Sequence, residues 1–151
     1  MSTFTITAID NFESVRDIAP RSISNEAVAT VRDLDEREEM EPWLQGILFD
    51  TNRTPHGPSE IVDILTHKLL VRGREGLAAF LLKGKSFPTV RPSHVGHQIL
   101  RLERITGLNF AVFAASGDVL DEVKEQFLAT AGHIDCDCCF LDAHDLARLF
   151  I

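Results

Sequence analysis

Three apolar runs of strand length, 77–82 (LAAFLL), 108–114 (LNFAVFA) and 138–141 (CCFL), each precede a segment whose apolar residues recur at helical spacing. Runs this apolar read as strands largely buried inside a sheet, and the alternation predicts a central mixed sheet with helices on its faces. The helices that follow are expected at 92–105 (Val95, Ile99, Leu100, Leu102), from Asp118 to Gly132 (Val119, Leu120, Val123, Phe127, Leu128) and at 143–150. At 151 residues the chain suits one domain, which at this size buries roughly two thirds of its unfolded surface without a disulfide or metal staple.

The N-terminal third is more polar. Phe4, Ile6 and Ala8 alternate with threonines, which predicts a first strand over 4–9, and Ser24 is placed to cap a helix carrying Ala27, Val28 and Val31. Met40, Trp43, Leu44, Ile47 and Leu48 predict another helix. Pro42 requires either that it begin near Glu41 or that a longer helix kink there. Residues 51–59 (TNRTPHGPS) read as a loop, and 61–71 as one strand or hairpin arm, with a turn at 73–76 leading to the buried strand at 77–82. The order is helix, strand, strand, helix, strand, helix, strand, helix.

Charge and cysteine usage narrow the function classes. The start of the chain has neither a basic region nor a long apolar core, so it reads as neither a signal peptide nor a membrane anchor. No run approaches the ~20 apolar residues of a membrane span. Cys136, Cys138 and Cys139 fit a reducing, cytoplasmic compartment and read as small buried hydrophobes. A thiolate metal site with His133 is the alternative, as is a zinc site on His94 and His97, although adjacent strand residues point to opposite faces and the histidine pair lacks a third ligand at the expected spacing. The net charge of −8 opposes indiscriminate nucleic-acid coating. Lys68, Arg72, Arg74, Lys83, Lys85, Arg91, Arg101 and Arg104 nonetheless concentrate in one segment whose only acids are Glu75 and Glu103. Neither a phosphate-binding glycine loop nor a GxSxG elbow is present, which argues against nucleotide hydrolysis and serine hydrolase chemistry.

Metal-dependent phosphodiester hydrolysis needs carboxylates to hold Mg²⁺ and a cation near the attacked phosphate. Met40-Glu41 opens an apolar-faced helix, Ser59-Glu60-Ile61-Val62-Asp63-Ile64 enters the first strand of the hairpin, and Phe80-Leu81-Leu82-Lys83-Gly84-Lys85 closes the next. A helix with Gln98 follows, then the strand 110–114 with Ser116-Gly117-Asp118, then Phe140-Leu141-Asp142-Ala143-His144-Asp145-Leu146-Ala147. In this order the motifs resemble the Mrr-type branch of the PD-(D/E)xK nuclease superfamily over residues 36–151, with 1–35 an N-terminal extension packed on that domain.

The resemblance implies a restriction-endonuclease-like three-layer α/β fold and a Mg²⁺-dependent nuclease, plausible in antiphage defence, with DNA ahead of RNA as substrate. It implies Glu41 and Asp63 as metal ligands, Lys83 as the catalytic lysine and Gln98 as the residue that positions the phosphate or the lysine. Lys85, Arg91 and Arg101 would contact nucleic acid. Leu81 stands where the family has an acid, so Glu60, or Glu103 on the glutamine helix, would have to supply a displaced carboxylate. Without one, the chain is a nuclease-fold module that binds nucleic acid or a protein partner, and a short copy of such a domain implies a separate partner or self-association. Plainer roles also exist: Glu41 as a helix N-terminal acid, Glu60 and Asp63 as polar residues at a strand entrance, Lys83 and Lys85 as solvated strand-end lysines.

Overall fold

The computed structural model describes residues 6–15, 17–48 and 62–150. Its centre is a four-stranded mixed sheet in the order β1-β4-β6-β8, made of β1 (Ile64–Thr66), β4 (Leu77–Lys83), β6 (Leu108–Ala115) and β8 (Asp137–Leu141). β1 runs antiparallel to β4, with Ile64 opposite Phe80, while β4, β6 and β8 are parallel, with Lys83 opposite Ala115 and Phe113 opposite Phe140. Side-chain alternation divides these strands between two apolar layers. Phe80, Leu82, Val112, Ala114, Cys139 and Leu141 face one, together with Val28 and Val31 of α1 (Asn25–Arg32), Leu44 of α2 (Glu41–Ile47) and Leu146 of α5 (Ala143–Phe150). Ala79, Leu81, Ala111, Phe113 and Cys138 face the other, under Val95 and Ile99 of α3 (Pro92–Arg101) and Val123 and Phe127 of α4 (Asp121–His133). The two parallel crossovers thus put α3 and α4 side by side on one face, where Phe113, Phe127 and Phe140 form an aromatic cluster with Phe113 and Phe140 stacked at 4.8 Å.

The amino-terminal strand expected over 4–9 does not form in the described part. Ile6–Ala8 and Asp10–Val15 are 3₁₀ turns, and Ile9 makes a single antiparallel bridge to Val71. Ile6, Ile9, Phe12 and Val15 recur every third residue, the period of a 3₁₀ helix, and all four are buried against the α1/α5 face of the sheet. Side chains take over what a strand would have done: Asn11 Oδ1 accepts from Leu70 N at 2.6 Å, and Asp10 Oδ2 from Gly73 N at 2.6 Å. The apolar layer is continuous across position 35, since Phe12, Leu34, Met40 and Phe80 all belong to it.

The expected single arm over 61–71 is broken in two. β1 ends at Thr66, whose Oγ1 accepts from Lys68 N at 3.0 Å, and the chain then makes a small hairpin of β2 (Leu70–Val71) and β3 (Arg74–Glu75) before entering β4. Arg72 and Gly73 both have positive φ, the signature of a tight hairpin turn. Asp35 caps a π-turn over Glu36–Met40, and α2 starts at Glu41 with Pro42 in its first turn, so Pro42 marks a new helix. Ser24 caps α1 by accepting from Ala27 N at 3.1 Å, as the spacing predicts. In the stretch expected as a loop, β5 (Thr89–Val90) pairs in parallel with β7 (Asp118–Val119), which delays the start of α4 to Asp121. Among the described residues no helix is long and apolar enough to cross a membrane.

All three cysteines are buried, and burial pushes the Cys136 and Cys139 thiols up to about 12. A thiol whose pKa is higher in the folded than in the unfolded chain stabilises the fold below the unfolded value, and that contribution is lost as pH rises towards 12. Stability should therefore fall above about pH 9, for Cys139 by ~1.4 kcal/mol per pH unit, and native protein should resist a thiol reagent at neutral pH that labels all three in denaturant. Rapid native labelling of Cys139 would contradict this.

Candidate functional site

Because β1 is antiparallel to β4, the start of β1 and the end of β4 share one edge of the sheet, the edge at which β6 and β8 also end. Asp63 stands there just before β1. Its N–H donates to Phe80 O at 3.1 Å and its Oδ2 accepts from Leu82 N at 2.8 Å, so it continues the pairing with β4 where the ladder stops. These bonds lie outside the regular ladder, because Phe80 is already the register partner of Ile64, while within β4 alternation puts Leu81 and Lys83 on the same face.

Lys83 is only 6% exposed. Its ammonium lies 4.6 Å from the centroid of the Phe87 ring, a cation–π contact, and its carbonyl accepts from Ser116 N at 3.0 Å. A lysine that merely solvates or protects a strand end would extend into water, so that plainer role does not describe Lys83. The chain closes tightly over the next residue: a Cβ at Gly84 would stand 2.5 Å from Glu36 N and 2.7 Å from Leu34 O, and Lys85 N donates to Leu34 O at 2.8 Å. Phe87 and the 34–36 crossing are the parts of the site that sequence reasoning missed. A lone aromatic in the loop KGKSFPT was the one available signal.

Gln98 lies on the sheet-facing stripe of α3 with Val95, Ile99 and Leu102, in the layer that Leu81 and Lys83 face. Its Oε1 is buried and has no hydrogen-bond partner among the described residues. Glu41 is also buried, at 5% exposure, which is unlike a solvated helix-terminal acid, and it opens α2, whose Leu44 belongs to the apolar layer of Phe80 and Leu82. Leu81 is fully buried. Glu103 is exposed beyond the end of α3, near the start of β6 and so towards the opposite edge, which removes it as a displaced carboxylate. Glu60 and the 51–59 loop lie outside the described residues.

Mg²⁺ takes oxygen ligands in near-octahedral geometry. At this end of the sheet Asp63, just before β1, has one oxygen already accepting from Leu82, and no group of three His, Cys, Asp or Glu among the described residues is arranged to hold a metal. The described residues do not by themselves fit Mg²⁺. The zinc alternatives meet the same absence: His94 Nδ1 accepts from Arg91 N at 3.1 Å, capping α3, and the three thiols are buried.

The basic segment does not fold into one patch. Arg72 and Arg74 line a cleft at the far edge of the sheet with Asp135 and Asp137, while Lys85 lines an open groove with Asp33 and Glu39. Arg91 precedes α3 and Arg101 ends it, roughly 15 Å apart by helix rise. Of the three, Lys85 and Arg91 lie towards the Asp63–Lys83 edge, and Arg101 towards the other. No family model, curated protein or solved structure matches this chain.

Proposed function

We propose that the chain is a restriction-endonuclease-like domain that acts on nucleic acid at the edge carrying Asp63 and Lys83, as a nuclease of the Mrr type. The observation that supports this reading most is the burial of Lys83 against Phe87 on the face that α3 and its Gln98 cover, at the end of the sheet where Asp63 also stands. Holding a lysine and an unpartnered amide oxygen inside an apolar layer costs stability, and such costs concentrate at functional sites. Lys83 would neutralise charge on a phosphate, Gln98 would orient the lysine or the phosphate, and Asp63 would supply one carboxylate. Cleavage needs a second carboxylate, for which the buried Glu41 at the start of α2 and Glu60, three residues before Asp63, are the residues available.

A second reading is favoured by Leu81: with a buried apolar side chain two residues before Lys83, the domain binds nucleic acid or a protein partner without cutting. One assay separates the two. Single- and double-stranded DNA and RNA are incubated with the protein in Mg²⁺, Mn²⁺ or EDTA. EDTA-sensitive cleavage that falls at least ~100-fold in Asp63→Asn, in Lys83→Met and in Glu41→Gln or Glu60→Gln supports the nuclease. Salt-sensitive, metal-independent binding without cleavage supports the binding module. Cleavage that survives both Asp63→Ala and Lys83→Ala would remove the site from this edge.

A further inference from the structure

Beyond Lys83, the same sheet edge holds a cleft of about 290 Å³ where β6 and β8 end, lined by Arg32, Gly117, Lys124, Phe140, Asp142 and His144 among others. Its size is near the lower limit of small-molecule sites. Gly117 is two residues past Ala115, the register partner of Lys83, and Ser116 between them donates to Lys83 O, so the cleft adjoins the candidate site. Crevices outside the carboxyl ends of parallel strands are where open α/β sheets bind ligands.

The lining has the two chemistries a nucleotide requires. One face of the Phe140 ring is stacked on Phe113, at 9° between planes, Phe127 meets it at 78°, and Lys124 Nζ lies over the ring 5.6 Å from its centroid, a cation–π contact from an exposed side chain that an incoming base would displace. Lys124 is exposed and has no ion-pair partner among the described residues. Arg32 reaches the cleft from the end of α1 and pairs with Asp118 at 3.3 Å, but with side chains 42% and 75% exposed that pair is weak enough for a phosphate to displace. Asp142 is occupied in capping α5, its Oδ1 accepting from Asp145 N at 2.9 Å, so its carboxylate is turned to the helix.

We propose that this cleft is a nucleotide subsite, which takes one unstacked nucleotide of a single strand with its base against Phe140 and its phosphate between Arg32 and Lys124. The proposal rests on the nucleic-acid reading above and adds the substrate form: a single-stranded or locally opened end rather than an intact duplex. Aromatic stacking contributes ~1–3 kcal/mol per base, which is about a 5- to 150-fold change in affinity.

Binding of dAMP, of a short single-stranded oligonucleotide and of the same sequence as duplex is measured by calorimetry on the full chain. The single strand should bind more tightly than the duplex. Phe140→Leu, with its fold checked by thermal melt, and Lys124→Ala, at an exposed position, should each weaken dAMP and the single strand at least about fivefold, whereas Glu103→Gln, exposed towards the opposite edge, should leave dAMP binding unchanged. If both cleft variants bind dAMP like the parent, or if inorganic phosphate displaces it at equal concentration, the subsite is overturned. If dAMP binds and responds to Lys124→Ala while no substrate is cleaved under any metal condition, the subsite stands and the nuclease reading falls.

Discussion

Leu81→Glu is expected to destabilise the domain by more than ~4 kcal/mol at neutral pH without added metal, lowering the melting temperature by roughly 10 °C or more. Leu81 is fully buried in the layer with Ala79, Phe113 and Val95, so an ionised carboxylate there loses its hydration and gains little in return. The introduced acid would have its pKa raised by burial. Stability associated with its protonated form is lost as pH rises through that value, so the deficit should shrink on acidification. The same substitution puts an acid two residues before Lys83 on the same face of β4, the pattern Leu81 interrupts. Thermal melts with and without Mn²⁺ read the result directly. A metal-dependent recovery of Leu81→Glu, absent from the parent chain, would mean that the face is shaped for a divalent ion and lacks only the ligand. Equal melting with and without metal would mean that this face does not hold one, and that the domain's chemistry does not depend on completing the pattern.

What could be read from the sequence follows burial symmetry. β4, β6 and β8 are covered on both faces, so they stand out as apolar runs, and the helices between them show one-sided periodicity. The N-terminal segment was legible in its burial but not in its form, because Phe4, Ile6 and Ala8 suggest period two while Ile6, Ile9, Phe12 and Val15 obey period three. Asp63 and Lys83 come to one end of the sheet because β1 is antiparallel to β4, a placement the sequence offered only through the resemblance, since the pairing at Asp63 is irregular. Glu41 could not be assigned to a layer, since that depends on which side of the sheet α2 packs, a tertiary choice. The same holds for the basic residues. They are neighbours in sequence, yet β4 and α3 carry them along the sheet, and the fold returns several to acidic partners or acidic grooves.

Arg148→Ala should be the most damaging change outside the candidate site, costing ~3–5 kcal/mol and roughly 10 °C in melting temperature. On α5 the side chain points with Leu146 and Ala147 into the protein and is only 5% exposed. There its guanidinium donates to Val15 O at 3.0 Å and pairs with Asp145 Oδ1 at 3.5 Å, which ties the last helix to the 3₁₀ segment that buries Phe12. Truncation removes a donor from a buried carbonyl and the nearby cation from a carboxyl whose pKa is already raised, first by burial and then by Asp142. That upward shift means that Asp145 favours the fold more when protonated, a contribution lost as pH rises through its folded pKa. Without the cation the shift grows, so the deficit of Arg148→Ala should be larger at neutral pH than in acid. Urea unfolding of Arg148→Ala, Asp145→Asn and the double variant tests the coupling: the double variant should cost less than the sum of the singles, because Asn leaves no charge to strand. Strict additivity would mean that Arg148 acts through Val15 alone, and protection of Phe12 against amide exchange should then fall equally in the single and double variants.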